Sequence, residues 1–312
     1  MSTAPANLNC VLLNACGAAY NIAPGTDTYN ADNDHTYSPN VPYNEDPQPA
    51  CGGEGFINAA TVGQCPFGIV VAFRGTLPPS TTDPDSWLDW LQNFLAIPAS
   101  SPSGPNRLPG QVHSGFFNAT TSIIQQVHTL VATCNPGSTN PVHVTGHSKS
   151  GAMASIGAYI LSQNLAVPNL QPVVTFASPK PGDPDFRTGF EAVISQTRYE
   201  NDGDLVPLVP PTIDFIRLLL NNPVLFISNA GRRLSHMLKS AEDWDYVPVG
   251  SMLFVTSTFQ VIADENVTMQ TLDVVKEFMG DFLKGDFSSF GDAHSPLPGK
   301  GYNSGVCSVA SP

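Results

Sequence analysis

The 312-residue sequence is poor in charge, and poorest in positive charge. Only 12% of it is charged, and 13 lysines and arginines stand against 26 aspartates and glutamates, a formal net charge of −13. Soluble domains carry about 25% charged residues. A chain this acidic repels nucleic acid and anionic membranes and is a poor match for strongly anionic substrates. It contains no basic patch, and no apolar run long enough to span a membrane. The first residues lack the basic start and apolar stretch of a secretory leader, so Met1 is read as the start of a trimmed chain.

The cysteines exclude a second group of functions. Cys10, Cys16, Cys51, Cys65, Cys134 and Cys307 never form C-x-x-C, which argues against a zinc or thiol redox site. The acidic run from Asn30 to Asp34 lacks the glycine and the closing glutamate of an EF-hand, leaving a solvated turn. Neither a metal nor a cofactor is expected. An even cysteine count permits three disulfides, and with sequons at Asn118 and Asn266 and the low charge it points to a secreted, extracellular protein.

What is present suits a folded enzyme. Hydrophobic residues make up 41%, enough for a sizeable core, and 29 prolines with 26 glycines imply many ordered turns. No linker interrupts the chain, so residues 1–312 are read as one domain. An amphipathic helix is expected from about Pro5 to Tyr20, followed by an Asn-, Asp- and Pro-rich loop to about Pro49. Strands are then expected over Phe56–Thr61, Gly68–Phe73, Val173–Ala177 and Gln196–Asn201, with a helix over Gly115–Cys134. Phe116, Ile123, Val127, Leu130 and Cys134 recur along that helix at core spacing. Strands alternating with helices imply an α/β fold with a mostly parallel central sheet flanked by helices.

The segment Pro141–Ala154 (PVHVTGHSKSGAMA) reads as a buried strand that breaks sharply into a helix at Ser148. Gly146 relieves crowding at the break, and Ser150, Gly151, Ala152 and Ala154 are small enough for close packing on the sheet. A serine there presents its hydroxyl at the tip of the sheet, next to the donors and positive dipole end of a helix N-terminus. Upstream, GIVVAFRGT (Gly68–Thr76) is an apolar strand ending in a glycine that can turn the next backbone N–H toward the nucleophile. Downstream, TRYENDGDLVPLVPP (Thr197–Pro211) offers two strand-end acids, Asp202 and Asp204. The loop DAHSPLPGKGY (Asp292–Tyr302) supplies His294 after both, whereas His236 sits in GRRLSHMLKS, with the arginines and periodicity of a solvated helix face. The order serine, acid, histidine is that of an α/β-hydrolase triad. His128, His143 and His147 are read as structural or surface residues, and His113 as a possible pocket residue.

In combination these segments resemble the fungal-type class 3 lipases. The resemblance is carried by VAFRGT (71–76), WLDWLQN (87–93), VHSGF (112–116), TGHSKSGA (145–152), FASP (176–179), DLVP (204–207) and YNSGVC (302–307). It implies an α/β-hydrolase fold, with Ser148 as nucleophile, Asp204 as orienting acid, His294 as general base, and the backbones of Thr76 and Lys149 as the oxyanion hole. The activity implied is cofactor-free hydrolysis of acylglycerol esters through an acyl-enzyme, with aryl or feruloyl esters, or acyl binding without turnover, as the alternatives. The expected partners are a lipid or other ester substrate and a lipid–water interface, with no nucleic acid.

The sequence departs from the family pattern at Lys149 and Ser150, in a Pro- and Ser-rich insertion over Leu77–Asp85, and through much of the chain after Pro211. The resemblance also implies a disulfide from Cys307 to Cys10 or Cys16. A Cys51–Cys65 pair is expected because these residues flank a strand. Two apolar segments are candidates for a lid or pocket wall, within 77–97 and 212–240. SWLDWLQNFLAI (Ser86–Ile97) places Trp87, Trp90, Leu91 and Phe94 on one helical face. FIRLLLNNPVLFI (Phe215–Ile227) carries Leu219 and Leu225.

Overall fold

In the computed structural model, residues 7–23, 25–30, 43–76, 98–100, 106–212, 245–263 and 288–308 are described, with isolated positions between 216 and 239. The apolar runs found in the sequence form the centre of the sheet. GIVVAF is strand β3 (Gly68–Phe73) and VHVTGH is β6 (Val142–His147), after β1 (Gln48–Gly52), β2 (Asn58–Cys65), β4 (Pro98–Ser100) and β5 (Gln111–His113). Strands β7 (Val173–Phe176), β8 (Gln196–Asn201), β9 (Ser251–Val255) and β10 (Val261–Ile262) follow. Eight of them form one sheet in the order β1-β2-β3-β6-β7-β8-β9-β10, while β4 and β5 pair separately. From β3 to β9 every pairing is parallel, and the antiparallel β1, β2 and β10 lie at the two ends. This is an α/β-hydrolase fold.

Every residue of β3 and β6 is buried, as expected for strands covered on both faces. On one face Ile69, Val71 and Phe73 pack with Phe116, Ile124, Val127, Val144 and Met153. These come from the sheet and from helices α2 (Ser114–Thr121), α3 (Ile124–Cys134) and α4 (Lys149–Tyr159). Helix α5 (Pro184–Glu191) adds Phe186 and Phe190 to the same core. On the other face Val70, Ala72, Phe176 and Tyr199 meet Leu12, Leu13 and Cys16 of α1 (Leu8–Ala19) and Tyr302 and Val306 of α7 (Gly301–Val306). Helix α6 (Ser288–His294) precedes α7. The alternation of β3 side chains between the two clusters follows from the period of a strand.

The parallel registers bring the strand ends level. Phe73 lies opposite Gly146, His147 opposite Phe176, Phe176 opposite Tyr199, and Asn201 opposite Val255. The turns after β3, β6 and β8 therefore emerge at one edge of the sheet, where open α/β sheets hold their sites.

Several expectations are corrected. The helix expected over Gly115–Cys134 is two helices, α2 and α3, broken at Ser122–Ile123. Thr120, Thr121 and Ser122 turn their hydroxyls back onto the carbonyls of Phe116, Phe117 and Ala119, which competes with the helical ladder and favours a bend. The strand expected from Phe56 begins at Asn58, because Glu54–Phe56 forms a 3-10 turn in which Gly55 and Phe56 have positive φ. Cys51 and Cys65 are separate thiols rather than a disulfide. The hairpin register explains this: Cys51 pairs with Ala59, six residues short of Cys65, which is roughly 20 Å along an extended strand. Trp87, Trp90, Leu91, Phe94, Leu219 and Leu225, proposed for a lid, lie outside the described residues, as does Asn266.

One disulfide joins Cys10 of α1 to Cys307, the C-cap of α7. It ties together chain positions 297 residues apart. Closing so long a loop removes much of the freedom of the unfolded chain, which sets its contribution at roughly 5 to 6 kcal/mol on the chain-entropy account. Denaturant titration of Cys10→Ala/Cys307→Ala should lose most of that amount, and a midpoint equal to that of the parent protein would contradict the account.

Candidate active site

Ser148 occupies the single residue between β6 and α4, with φ 63° and ψ −141°. A side chain in this region of backbone space is strained by about 1–3 kcal/mol, so the surroundings must hold it there. They do so through both backbone groups. The Ser148 N–H donates to the Phe176 carbonyl at 3.0 Å, and the Ser148 carbonyl accepts from the Gly151 N–H at 2.8 Å. Ser150, the departure from the family pattern, closes the turn: its hydroxyl accepts from the His147 N–H at 2.9 Å and donates to the His147 carbonyl at 2.7 Å. Gly146 is required by contact, since a Cβ there would lie 2.0 Å from the Ser150 carbonyl oxygen. The Ser148 Oγ is buried and has no hydrogen-bond partner among the described residues.

The segment after β3 reaches the same point. A Cβ on Gly75 would stand 2.7 Å from the His147 carbonyl oxygen and closer still to the Tyr20 hydroxyl, so only glycine fits this approach. Thr76 follows it. Arg74, just before, is buried and donates to the carbonyls of Ile22, Phe56 and Ile57. It thereby anchors the Gly75–Thr76 turn to the β1–β2 hairpin. Lys149 is the first residue of α4, and its backbone N–H belongs to the helix turn whose donors have no intrahelical acceptor. Its ammonium reaches Asn58 Oδ1 at 3.4 Å, and burial, reinforced by the Arg74 charge, pushes its pKa down to about 8.

Asp204 and His294 are brought together, although 90 residues separate them. His294 Nδ1 lies 3.1 and 3.0 Å from the two Asp204 carboxylate oxygens. Asp204 also accepts from the Tyr302 hydroxyl at 2.6 Å and from the Val206 N–H at 2.9 Å. Burial alone would raise its pKa. The facing His294, the Tyr302 hydroxyl and the Val206 amide outweigh that and hold it below the usual carboxylate value. The Tyr302 oxygen in turn accepts from the Asn201 N–H, and Asn201 Nδ2 donates to the Ala293 carbonyl. Lys180 holds the following segment by donating to the carbonyls of Leu208 and Pro210. Asp202, the rival acid, sits two residues away with its backbone N–H on the Val255 carbonyl, and His236, the rival base, is exposed.

His147 joins the serine side to the histidine side. Its Nε2 lies 2.6 Å from the His294 carbonyl oxygen and its Nδ1 3.2 Å from the Tyr20 hydroxyl. A carbonyl can only accept, so Nε2 carries the proton and the tyrosine hydroxyl donates to Nδ1. Burial, with His294 close by, pushes the pKa down to about 3, which keeps the ring neutral. Sequence reasoning gave His147 only a structural or surface role and gave Tyr302 none. The signal that both are polar residues inside matched motifs was present, but their partners lie far away in the chain. His113, read as a possible pocket residue, is fully buried and caps α2, its Nδ1 accepting the Phe116 N–H. A cavity of about 320 Å³ bordered by Gly203, Phe290, Asp292 and Lys300 lies behind α6 and borders none of Ser148, Asp204 or His294.

Residues 70–213 match the family model described as lipase (class 3), a span that includes Ser148 and Asp204 and stops short of His294. Over that span the chain is similar to the class 3 lipases. The chain is 28% identical over 160 residues to Phospholipase A(1) DAD1, chloroplastic, of Arabidopsis thaliana, covering 46% of this chain and 34% of that protein. Phospholipase A1-IIgamma of the same plant is 26% identical over 170 residues, covering 46% and 38%. The chain thus spans little more than a third of the length of the curated relatives it matches. Among solved structures, the Rhizomucor miehei triacylglyceride lipase is similar with a TM-score of 0.57 and 21% identity, covering 96% of this chain and 95% of that one. A structure described as a triacylglycerol lipase whose catalytic centre is a serine protease triad is similar at 0.51 and 21%, over 80% and 78%. At these identities the structural likeness speaks for the fold.

The carboxylate network generates a pH prediction. Because the folded pKa of Asp204 lies below its unfolded value, its contribution to stability is present above that value and is lost as pH falls through the folded one. Tyr302→Phe removes one donor to the charged form. It should cost about 2 kcal/mol near neutrality, with the deficit shrinking toward acid as the carboxylate protonates. Thermal melts from about pH 3 to about pH 8 read this directly, and a deficit of constant size across that range would place the effect of Tyr302 in packing instead.

Proposed function

We propose that this chain is a secreted serine carboxylic-ester hydrolase that cleaves acylglycerol esters through an acyl-enzyme. The observation that carries the reading is the strained, internally braced turn at Ser148, lying on the same sheet edge as the buried Asp204–His294 pair. In this reading His294 takes the Ser148 proton as the serine oxygen attacks the ester carbonyl, and the Asp204 carboxylate fixes the imidazole tautomer and stabilises the imidazolium that forms. The negative charge on the carbonyl oxygen is received by the backbone N–H groups of Thr76 and Lys149. The Ser148 N–H is occupied by Phe176, which leaves the donor role on this side to Lys149. Losing one such donor typically costs about 3 kcal/mol of transition-state stabilisation. His294 then returns the proton to the departing alkoxide, and water releases the acyl group by the same steps.

The substrate class is supported by the names of the similar proteins, phospholipases A1 and triacylglycerol lipases, and by the net charge of −13, which suits neutral esters better than anionic ones. Secretion is supported by the Cys10–Cys307 disulfide and by the exposed sequon asparagine Asn118.

The reading is tested by turnover of a chromogenic ester panel of increasing chain length, run beside emulsified triglyceride and phospholipid. Ser148→Ala should lower kcat by several orders of magnitude with the melting profile unchanged, and His294→Ala should be nearly as damaging. His236→Ala should change the rate only modestly. A Ser148→Ala protein that keeps more than a few per cent of the rate removes the serine from the chemistry, and damage falling on His236 rather than His294 reassigns the base.

A further inference from the structure

Among the described residues four large apolar side chains are exposed: Phe56 (41%), Ile57 (59%), Val193 (48%) and Phe259 (45%). Three of them share one edge of the molecule. Gly52 pairs with Asn58, so 53–57 form the tip of the β1–β2 hairpin, and Ala60 opposite Phe73 sets that tip beside the end of β3. Val261 pairs with Val255, so 256–260 form the tip of the β9–β10 hairpin, and Asn201 opposite Val255 sets it beside the end of β8. Since β3, β6, β7, β8 and β9 run parallel, both tips lie on the edge that carries Ser148 and Asp204, one on either side of them. Val193 comes just before β8 and therefore lies at the opposite edge.

Both tips are braced in an outward presentation. Phe56 has φ 52° and Phe259 has φ 61°, values in the left-handed region that bulky side chains seldom adopt. The Phe56 and Ile57 carbonyls are held by Arg74. In the other hairpin the Phe259 N–H donates to the Thr256 carbonyl at 2.8 Å, and Thr256 and Gln260 exchange a further pair of bonds. Neither phenylalanine is among the buried core residues, although one side of Phe259 borders the cavity that Phe290 lines.

We propose that Phe56, Ile57 and Phe259 form a two-sided apolar rim that seats the Ser148 edge on the surface of a lipid aggregate without net charge. The size of the arrangement selects the partner. Strands β3, β6, β7 and β8 lie between the two hairpins, so the tips stand roughly 24 Å apart at ordinary strand spacing. A single ester molecule does not reach both, whereas an extended surface does. Charge selects further: exposed Glu54 lies in the first tip, Asp292 beside the second is paired with Lys300 at 2.7 Å, and the net charge of −13 repels an anionic surface. The proposal rests on the hydrolase reading in taking the lipid to be the source of substrate.

Binding is read on the full chain carrying Ser148→Ala, by co-sedimentation with phosphatidylcholine vesicles, so that it does not depend on turnover. Phe56→Asn/Ile57→Ser should lower the partition coefficient by about tenfold, as should Phe259→Asn, because each removes large apolar area from the contact. Asparagine tolerates the left-handed backbone, which keeps the tips folded, and circular dichroism melts verify this. Val193→Ser should bind as its parent does, and adding phosphatidylglycerol should weaken binding. Rim variants that bind like the parent, a parent that does not bind, or binding that strengthens with phosphatidylglycerol each overturn the proposal. An unmutated protein that hydrolyses soluble esters while the vesicles fail to bind refutes the rim alone; one that binds vesicles and hydrolyses nothing refutes the hydrolase reading alone.

Discussion

The backbone of Ser148 is the constraint on which the rest of the site depends. A serine at φ 63° is unfavourable by itself, and five neighbours over-determine it: Gly146 by the absence of a side chain, Ser150 by two hydrogen bonds to His147, Gly151 and Phe176 through the serine's own amide and carbonyl, and Gly75 by close approach. The sheet makes this possible. Parallel strands in register place the Phe176 carbonyl, the end of β3 and the end of β6 at one level, so that each brace comes from a rigid element. Strain at such a turn is held by packing on every side.

The second half of the site is assembled by contacts across the chain. Asp204 receives His294, Tyr302 and the Val206 amide in a buried pocket, and its charge is kept because each lone pair facing the protein finds a donor. The neutral ring of His147 connects the two halves by donating to the His294 carbonyl. Helices α1 and α7, which contribute Tyr20 near one end and Tyr302 at the other, are joined by the Cys10–Cys307 disulfide. The covalent link therefore stabilises the same pair of helices that supports the acid and the histidine.

Much of this was legible in the sequence, for physical reasons that also mark where legibility stops. Strands β3 and β6 were readable because burial on both faces makes them continuously apolar, and the break at Ser148 was readable because glycine and small residues cluster there. Strands β1 and β9 were not: QPACG carries a proline and no β-branched residue, and SMLFV lies where no motif anchored the reading. The split between α2 and α3 was hidden because hydrophobic spacing runs through it, while the hydroxyls of Thr120, Thr121 and Ser122 set the bend. The roles of His147 and Tyr302 depend on partners 147 and 98 residues away, which no local pattern reports. Ser150 looked like a tolerated departure from a glycine and is instead a clasp on the turn.

The central claim is that Ser148 is the group that becomes acylated. Labelling the active protein with a chromogenic phosphonate ester, followed by peptide mass spectrometry, tests it most directly. The account predicts one adduct per chain, on the peptide containing Ser148, formed in step with loss of activity. An adduct on another residue that abolishes activity, or full activity retained by a chain fully labelled at Ser148, would contradict it.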